Sequence, residues 1–218
     1  HHAMGRSKHI SLPLRGKIGD IVFYTRNGQT YARKAPCRKS SSIPEVCRPA
    51  VNMFTQASAT YRFLPDRLCD IWRMGAKGIA ASGRNLFIKM NFHAFPAEGK
   101  APYYELLKFS SGLLSLPLQM QAVADDTGKF CRLQWDTSVA LPCTSAQDRL
   151  WVVELHTDNP LVICMVDGIC ALRSDGACVF PLRHELGRET HLYGFFSSPD
   201  DTLFSDCKYF CINKETME

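Results

Sequence analysis

The sequence lacks the long apolar runs that an export signal or a membrane-spanning helix requires. Residues 5–19 contain four basic side chains and no apolar core of the ~7 to 15 residues typical of a signal peptide. No uninterrupted apolar stretch approaches the ~18 residues of a membrane span. Residues 1–3 resemble the remnant of a purification tag, which makes Met4 the expected natural start. These absences predict a cytoplasmic protein without a membrane span.

Closely spaced cysteine pairs are also absent. The ten cysteines are spread from Cys37 to Cys211 and form no Cys-x-x-Cys motif, whereas structural zinc sites usually take their ligands from such pairs. Strand alternation instead places Cys131 on the same face as Leu133 and Trp135, where a cysteine packs as a small apolar side chain. We therefore expect free thiols, no metal and no cofactor.

The common catalytic motifs are missing too. There is no Gly-Lys-Ser/Thr phosphate loop, dinucleotide fingerprint, His-Glu-x-x-His helix or Gly-x-Ser-x-Gly elbow. Cys178, His184 and Asp175 are close enough in sequence to form a thiol triad, but a strand position for Cys178 and a turn position for Asp175 favour structural roles. The pairs Asp125-Asp126 and Asp200-Asp201 lack the spacing of a calcium loop and are predicted to be solvated turns. We therefore predict that the protein has no catalytic residues and is not an enzyme.

The net charge of +5 conceals a strong asymmetry along the chain. Residues 1–50 carry ten Lys or Arg and two acidic residues, whereas residues 125–218 carry eight Lys or Arg and fifteen acidic residues. A basic first part and an acidic last part favour head-to-tail self-association, or a polyanionic partner for the basic part. Two ordinary solvated surfaces are the alternative interpretation.

A β-hairpin is predicted around Asn27-Gly28, because both residues tolerate the positive φ of a type I′ turn. The flanking runs, residues 17–26 and 29–33, mix β-branched and aromatic residues with cations. Interleaved basic and aromatic side chains suit a nucleic-acid backbone, but lysine and arginine also protect exposed sheet edges. The candidate polyanion-binding residues are Arg15, Lys17, Arg26, Arg33, Lys34, Arg38 and Lys39.

A helical period follows the hairpin. One helix is expected to begin at Pro44, a second to span residues 66–74 and a third to span residues 85–92. Residues 94–128 are expected to be irregular apart from one extended strand over residues 113–122. The helical residues expected to face the core are Val46, Ala50, Phe54, Ala57, Tyr61, Leu68, Ile71, Trp72, Leu86, Phe87 and Met90.

From residue 129 onward the apolar pattern alternates as in β-strands. Strands are predicted at residues 130–135, 150–155, 161–166, 169–173, 177–182, 191–197 and 207–212. Short strands at this spacing match an immunoglobulin or fibronectin type III sandwich, with Trp135 and Trp151 in its core. The predicted fold is therefore α+β, with a basic hairpin and helices in residues 4–128 and an immunoglobulin-like antiparallel β-sandwich in residues 129–218.

Three segments carry a resemblance to a known family. They are residues 16–33 (GKIGDIVFYTRNGQTYAR), the helical stretch through Phe54 and Phe63-Leu64, and residues 173–176 with 193–198 (RSDG and YGFFSS). Together they are similar to an uncharacterised family of Bacteroidetes proteins, which begin with a Gly-Lys-Val-Gly-like hairpin and end in an immunoglobulin-like domain. The resemblance spans residues 16–210 and implies an architecture but no activity. The chain departs from the family pattern in its cysteine content and at residues 44–48, where the start of the first helix is affected.

The expected function is a non-enzymatic structural or protein-interaction module that binds a protein partner or associates with itself. This expectation depends on the charge asymmetry, the missing catalytic motifs and the binding roles common among immunoglobulin-like folds. The alternative is binding of nucleic acid, or another polyanion, through the basic hairpin.

Overall fold

The computed structural model describes residues 5–6, 15–26, 28–36, 42–99, 101–183, 187 and 189–213. The chain forms two units, His1–Pro44 and Glu45–Glu218. The first unit contains strands β1 (Gly5–Arg6), β2 (Gly16–Ile18), β3 (Ile21–Arg26) and β4 (Gln29–Lys34). The second contains helices α1 (Arg48–Arg62), α2 (Asp66–Gly75) and α3 (Gly83–Asn91), then strands β5 (Gln121–Ala124), β6 (Phe130–Gln134), β7 (Arg149–His156), β8 (Asn159–Met165), β9 (Ala177–Pro181), β10 (Glu189–Ser197) and β11 (Lys208–Asn213). Each helix in the described ranges is too short or too polar to cross a lipid bilayer.

The first unit is a four-stranded antiparallel sheet in the order β1-β4-β3-β2. Arg26 of β3 pairs with Gln29 of β4, so the two strands form a hairpin. Gly28 has a φ of +74°, as a tight hairpin turn requires. The predicted hairpin is confirmed, although Asn27 itself lies outside the described residues.

The run of residues 17–26 forms two strands and not one, which the sequence did not predict. Gly19 adopts a φ of +58°, a left-handed conformation that glycine reaches without a Cβ clash. The chain therefore reverses at Gly19 and Asp20, and β2 pairs with β3 so that Ile18 lies opposite Ile21.

Helix α2 forms where the sequence predicts it, with Leu68, Ile71 and Trp72 buried. Helix α3 forms close to the predicted third helix. It begins after Ser82, whose hydroxyl accepts a hydrogen bond from the backbone N–H of Asn85 at 3.1 Å. The predicted helices at residues 66–74 and 85–92 are therefore confirmed within a few residues.

Helix α1 differs from its prediction in both start and orientation. A 3-10 turn occupies Glu45–Cys47, and the α-helix begins at Arg48 with Pro49 in its first turn, where a missing backbone N–H costs nothing. Val46 lies outside the helix and is 87% exposed, Phe54 is 48% exposed, and Ala50 is exposed as well, so the predicted core positions of these three residues are wrong.

The strands of the second unit form two antiparallel sheets, β11-β10-β7-β8 and β5-β6-β9. The α+β class is confirmed, and Cys131 is buried together with Leu133 and Trp135 as predicted. Alternate residues of β7 and β10 face opposite sides of the four-stranded sheet. Residues of both sheets that form one core include Cys131, Leu133, Trp135, Val152, Phe180, Leu192 and Phe196.

The helices pack against the β11-β10-β7-β8 sheet of the second unit. A second core joins helical residues such as Leu68, Trp72 and Phe87 to strand residues such as Leu155 and Phe195. Because helices and strands share this core, the division of the chain falls after Pro44 and not after residue 128, where the sequence pattern placed it.

Two predicted strands are absent from the described structure. Over residues 113–122 only the last two belong to a strand, β5, while Leu113 is 80% exposed. Over residues 169–173 only Leu172 makes a bridge, to Arg149. A 3-10 turn follows at Arg173–Asp175, because the Asp175 carboxylate accepts the Leu172 N–H and closes the turn.

Candidate polyanion-binding face

The register of the N-terminal sheet decides which of its side chains share a face. Residues directly opposite each other in antiparallel strands project to the same side. Val22 lies opposite both Lys17 and Arg33, Tyr24 lies opposite Tyr31, and Arg26 lies opposite Gln29. We call the side formed by Lys17, Val22, Tyr24, Arg26, Gln29, Tyr31 and Arg33 the basic face.

Two tyrosines form the centre of the basic face. The rings of Tyr24 and Tyr31 stack with centroids 5.6 Å apart and planes inclined by 23°. The guanidinium carbon of Arg33 lies 5.8 Å from the centre of the Tyr24 ring, within cation–π range. The Tyr31 hydroxyl donates a hydrogen bond to Oε1 of Gln29 at 3.0 Å. These contacts fix a half-buried aromatic surface beside an exposed cation.

The cations of the basic face are exposed and carry uncompensated charge. Lys17, Arg26 and Arg33 form no ion pair with any residue that the structure describes. In the sequence of this unit, Asp20 is the single acidic residue. The face therefore presents a positive potential that attracts polyanions.

Of the other four predicted binding residues, the structure describes Arg15 and Lys34. Arg15 directly precedes β2 and is exposed. Lys34 lies opposite Ile21 and so projects from the side opposite to the basic face. Arg38 and Lys39 fall outside the described residues. The structure thus brings three of the seven predicted cations onto the basic face.

Cys178 packs against the core and Asp175 closes a turn. Cys178, in β9, lies opposite Leu133 and packs against the core between the two sheets. Burial raises the pKa of its thiol, whereas a nucleophilic cysteine requires a lowered pKa. Asp175 accepts the Leu172 N–H at 2.7 Å, and His184 lies outside the described residues.

The prediction of solvated acidic turns is wrong for Asp201. Its Oδ2 lies 2.5 Å from a terminal guanidinium nitrogen of Arg67 and 2.5 Å from one of Arg149, and its Oδ1 accepts a hydrogen bond from the Ser197 hydroxyl at 2.9 Å. Burial opposes ionisation of Asp201, but hydrogen bonds from Arg149, Ser197 and Arg67 outweigh it and lower the pKa. Asp201 therefore ties helix α2 to the β7 end of the sheet.

Within the part of the chain that the structure describes, no group of three or more His, Cys, Asp or Glu side chains is arranged to hold a metal ion. Asp125 accepts the Phe130 N–H at 3.0 Å and closes the β5–β6 turn.

A chain of hydrogen bonds surrounds the buried ring of His191. The Thr157 hydroxyl lies 2.6 Å from Oε2 of Glu189 and 2.7 Å from Nε2 of His191. Because a carboxylate only accepts hydrogen bonds, the Thr157 hydroxyl donates to Glu189 and accepts from Nε2–H of His191. Nδ1 of His191 accepts a hydrogen bond from the Tyr209 hydroxyl at 2.8 Å. The Tyr104 ring stacks on the imidazole at 3.8 Å. Burial lowers the pKa of His191, which favours this neutral tautomer.

A second buried histidine is satisfied in the same way. Nε2 of His156 lies 2.8 Å from Oε1 of Glu154, and its Nδ1 lies 3.3 Å from the Thr190 hydroxyl. Glu154 also accepts the backbone N–H of Arg183 at 2.9 Å. Sequence reasoning missed the buried Glu154, because acidic residues are rarely fully buried. Both ring nitrogens of each histidine are engaged, which suits structural roles.

Comparison with known proteins adds no assignment. The chain matches no protein-family model and no curated protein. The basic face is therefore interpreted from its own geometry and charge.

Proposed function

We propose that this protein is a non-enzymatic binding module whose basic face binds single-stranded nucleic acid. The observation that carries the proposal is that three exposed cations and two stacked tyrosines share one face of a sheet. Lysine and arginine neutralise phosphates and release counterions, while aromatic rings stack against bases. The basic face offers both kinds of contact.

The aromatic pair favours a single strand over a duplex. In a double helix the faces of the bases are covered by neighbouring base pairs, so a tyrosine on a sheet cannot stack on them. An unpaired strand leaves those faces free. Tyr24 and Tyr31 then contribute to affinity only for the unpaired strand, whereas Lys17, Arg26 and Arg33 contact the phosphates of either.

The state of the buried ionisable groups supports a non-enzymatic role. A general base needs a free lone pair within reach of substrate. His156 and His191 use both ring nitrogens in hydrogen bonds, and burial keeps the Cys178 thiol protonated by raising its pKa.

The proposal is tested by fluorescence anisotropy with a labelled single-stranded oligonucleotide. Arg33→Glu is expected to weaken binding by ~10-fold or more, equivalent to ~1.4 kcal/mol, because it reverses a charge on the basic face. Lys34→Glu is the matched control: it makes the same change of net charge at the next residue, on the opposite side of the sheet. Equal losses for the two variants would contradict a localised binding face.

A second variant separates stacking from charge. Tyr31→Ala is expected to weaken binding of the single strand by about 1 kcal/mol or more, the usual contribution of one stacked base. Binding of a duplex of the same sequence should change little. A similar loss for both nucleic acids would mean that Tyr31 supports the sheet and does not stack on bases.

We also propose that the two sheets of the second unit form an immunoglobulin-like sandwich, as the resemblance to the Bacteroidetes family implies. Assigning β5, β6, β7, β9, β10 and β11 to strands A, B, C, E, F and G gives one sheet A-B-E and one containing C-F-G. β8 pairs with β7, the position of strand C′ in variable-type domains. The core shared by the inner faces supports the same assignment.

A second candidate function is self-association through the outer face of the three-stranded sheet. The register places Val123, Arg132 and Val179 in one row, with Phe130 beside them. Val123 and Val179 are more than half exposed. Exposed apolar side chains grouped on one face of a sheet are a feature of protein-interaction surfaces. A sedimentation series over protein concentration should show a dimer in the wild type and a monomer in Val179→Lys; monomers throughout would remove this candidate.

A further inference from the structure

An open pocket lined by amide side chains lies at one end of the three-stranded sheet β5-β6-β9. Its volume is about 360 Å³, which falls within the range of small-ligand sites. The polar side chains of its lining are those of Gln119, Gln121, Arg132, Gln134 and Asp136. We call it the amide pocket.

Strand register brings these side chains together. Gln121 of β5 lies directly opposite Gln134 of β6, so both project to the same side of the sheet. Arg132 precedes Gln134 by two residues on β6 and shares that side, away from the core. The backbone N–H of Asp136 donates to the Leu118 carbonyl at 2.9 Å, which ties the segment before β5 to the segment after β6. The fold therefore fixes the positions from which the lining side chains extend.

Four side chains of the amide pocket have unused hydrogen-bonding capacity. Those of Gln119, Gln121, Arg132 and Gln134 make no hydrogen bond or ion pair with any residue in the described ranges. Gln134 is half-buried and the other three are exposed, so a ligand can reach all four. Three amides and a guanidinium are thus accessible to a ligand at one place.

The backbone of the amide pocket is strained at Gln119. This residue has a φ of +52°, in the left-handed region that residues with a Cβ seldom adopt. Strained backbone of this kind persists where the surrounding structure fixes it, and it is concentrated at functional sites. The strain supports a binding role for the same residue that lines the pocket.

The charges of the amide pocket balance. Arg132 contributes one positive charge and Asp136 one negative charge. Hydrogen bonds from Ser138 lower the pKa of Asp136, so this carboxylate stays ionised and accepts hydrogen bonds. The amides offer donors and acceptors together. The matching ligand is therefore neutral and carries groups that both donate and accept.

We propose that the amide pocket binds a neutral pyranose sugar through hydrogen bonds to its hydroxyl groups. Each hydroxyl both donates and accepts, so a sugar ring can pair with amides, guanidinium and carboxylate at once. An unpaired nucleobase fits less well, because bases are held by stacking on aromatic faces and the Trp135 ring of this pocket is 6% exposed. An extended peptide adds to a sheet through the backbone of an edge strand, whereas this pocket presents side chains.

The test is an NMR titration of the full chain with glucose, galactose, mannose, xylose and N-acetylglucosamine, each to ~50 mM, a concentration that detects millimolar binding. At least one sugar should produce saturable shifts in the side-chain amide signals of Gln119, Gln121 and Gln134. Uridine and a blocked dipeptide represent the competing ligand classes and should bind more weakly. No saturable shift with any sugar, or tighter binding of uridine or the dipeptide than of every sugar, would overturn the proposal. The pocket uses no residue of the basic face, so the result is independent of nucleic-acid binding.

Gln134→Met removes one amide while retaining the length of the side chain. The half-saturating sugar concentration should rise by about fivefold or more, the factor for one lost hydrogen bond. Gln121→Met, at an exposed position of β5, should have the same effect and serves if the first variant fails to fold. Gln147→Met is the matched control, an exposed glutamine outside the pocket, and should leave binding unchanged. Unchanged binding in both pocket variants, or an equal loss in Gln147→Met, would contradict the proposal.

Discussion

Replacing Leu68 by alanine tests whether the helices and the four-stranded sheet form one cooperative structure. Leu68 lies in α2, is fully buried and belongs to the core that includes Leu155 and Phe195. Loss of its side chain leaves a cavity, and a change of this kind costs about 3 kcal/mol. With a urea dependence of ~2 kcal/mol per molar, the unfolding midpoint should fall by ~1.5 M. The exposed Leu113 gives the control, since Leu113→Ala should change stability by less than ~0.5 kcal/mol.

The assay follows urea unfolding with two probes. Far-ultraviolet circular dichroism reports the helices, and fluorescence reports the core between the sheets when Trp135 is the sole tryptophan, with Trp72 and Trp151 replaced by phenylalanine. Both transitions should move together in Leu68→Ala, because one core joins helices and strands. Loss of the helices at low urea with an unchanged Trp135 transition would refute this reasoning and would support a domain boundary near residue 128.

Three further predictions concern the second unit. A Cβ at Gly112 would clash with the Phe204 carbonyl oxygen, so Gly112→Ala should destabilise the protein by about 1–3 kcal/mol. Thermal unfolding measures this loss, and an unchanged melting temperature would contradict the prediction. Burial lowers the pKa of His191, so below pH 6.5 the unfolded chain binds a proton that the folded chain excludes. The free energy of unfolding should therefore fall as the pH drops below 6.5, by at most ~1.4 kcal/mol per pH unit. This part of the pH dependence should vanish in His191→Gln, as measured by urea unfolding at several pH values. Asp201→Asn should cost roughly 1–2 kcal/mol by leaving two arginines without their shared carboxylate, and no loss of urea stability would mean that the ion pairs are only incidental.

Elements with strong local signals were predictable from the sequence. Asn27-Gly28 between two β-rich runs specified the hairpin, because the turn depends on these residues and little else. Leu68, Ile71 and Trp72 specified the inner face of α2, because their spacing matches one side of a helix. The alternation of Cys131, Leu133 and Trp135 likewise specified the inner face of β6.

Elements determined by distant contacts were not predictable. The turn at Gly19 divides residues 17–26, whose composition predicts one strand, and the pairing of β2 with β3 shows the division. The segment ending at Arg173 has a strand-like composition, but hydrogen bonds to Asp148 and Asp175 convert it into a turn. The shared core of helices and sheet also depends on packing between residues far apart in the chain.

The candidate site was predictable in part for the same reason. Composition identified the cations near the hairpin, but their faces follow from strand register, which separates Arg33 from Lys34. The stacking of Tyr24 on Tyr31 required the same register.

The most direct test of nucleic-acid binding by the basic face is the salt dependence of oligonucleotide affinity. For a single strand, the logarithm of the binding constant falls with the logarithm of salt concentration by about 0.7 per phosphate contacted. Contacts from Lys17, Arg26 and Arg33 therefore predict a slope of about −2. Arg33→Glu should make the slope shallower by ~0.7 or more, while Lys34→Glu leaves it unchanged. Absence of binding at ~50 mM salt, or a slope near zero, would contradict the account.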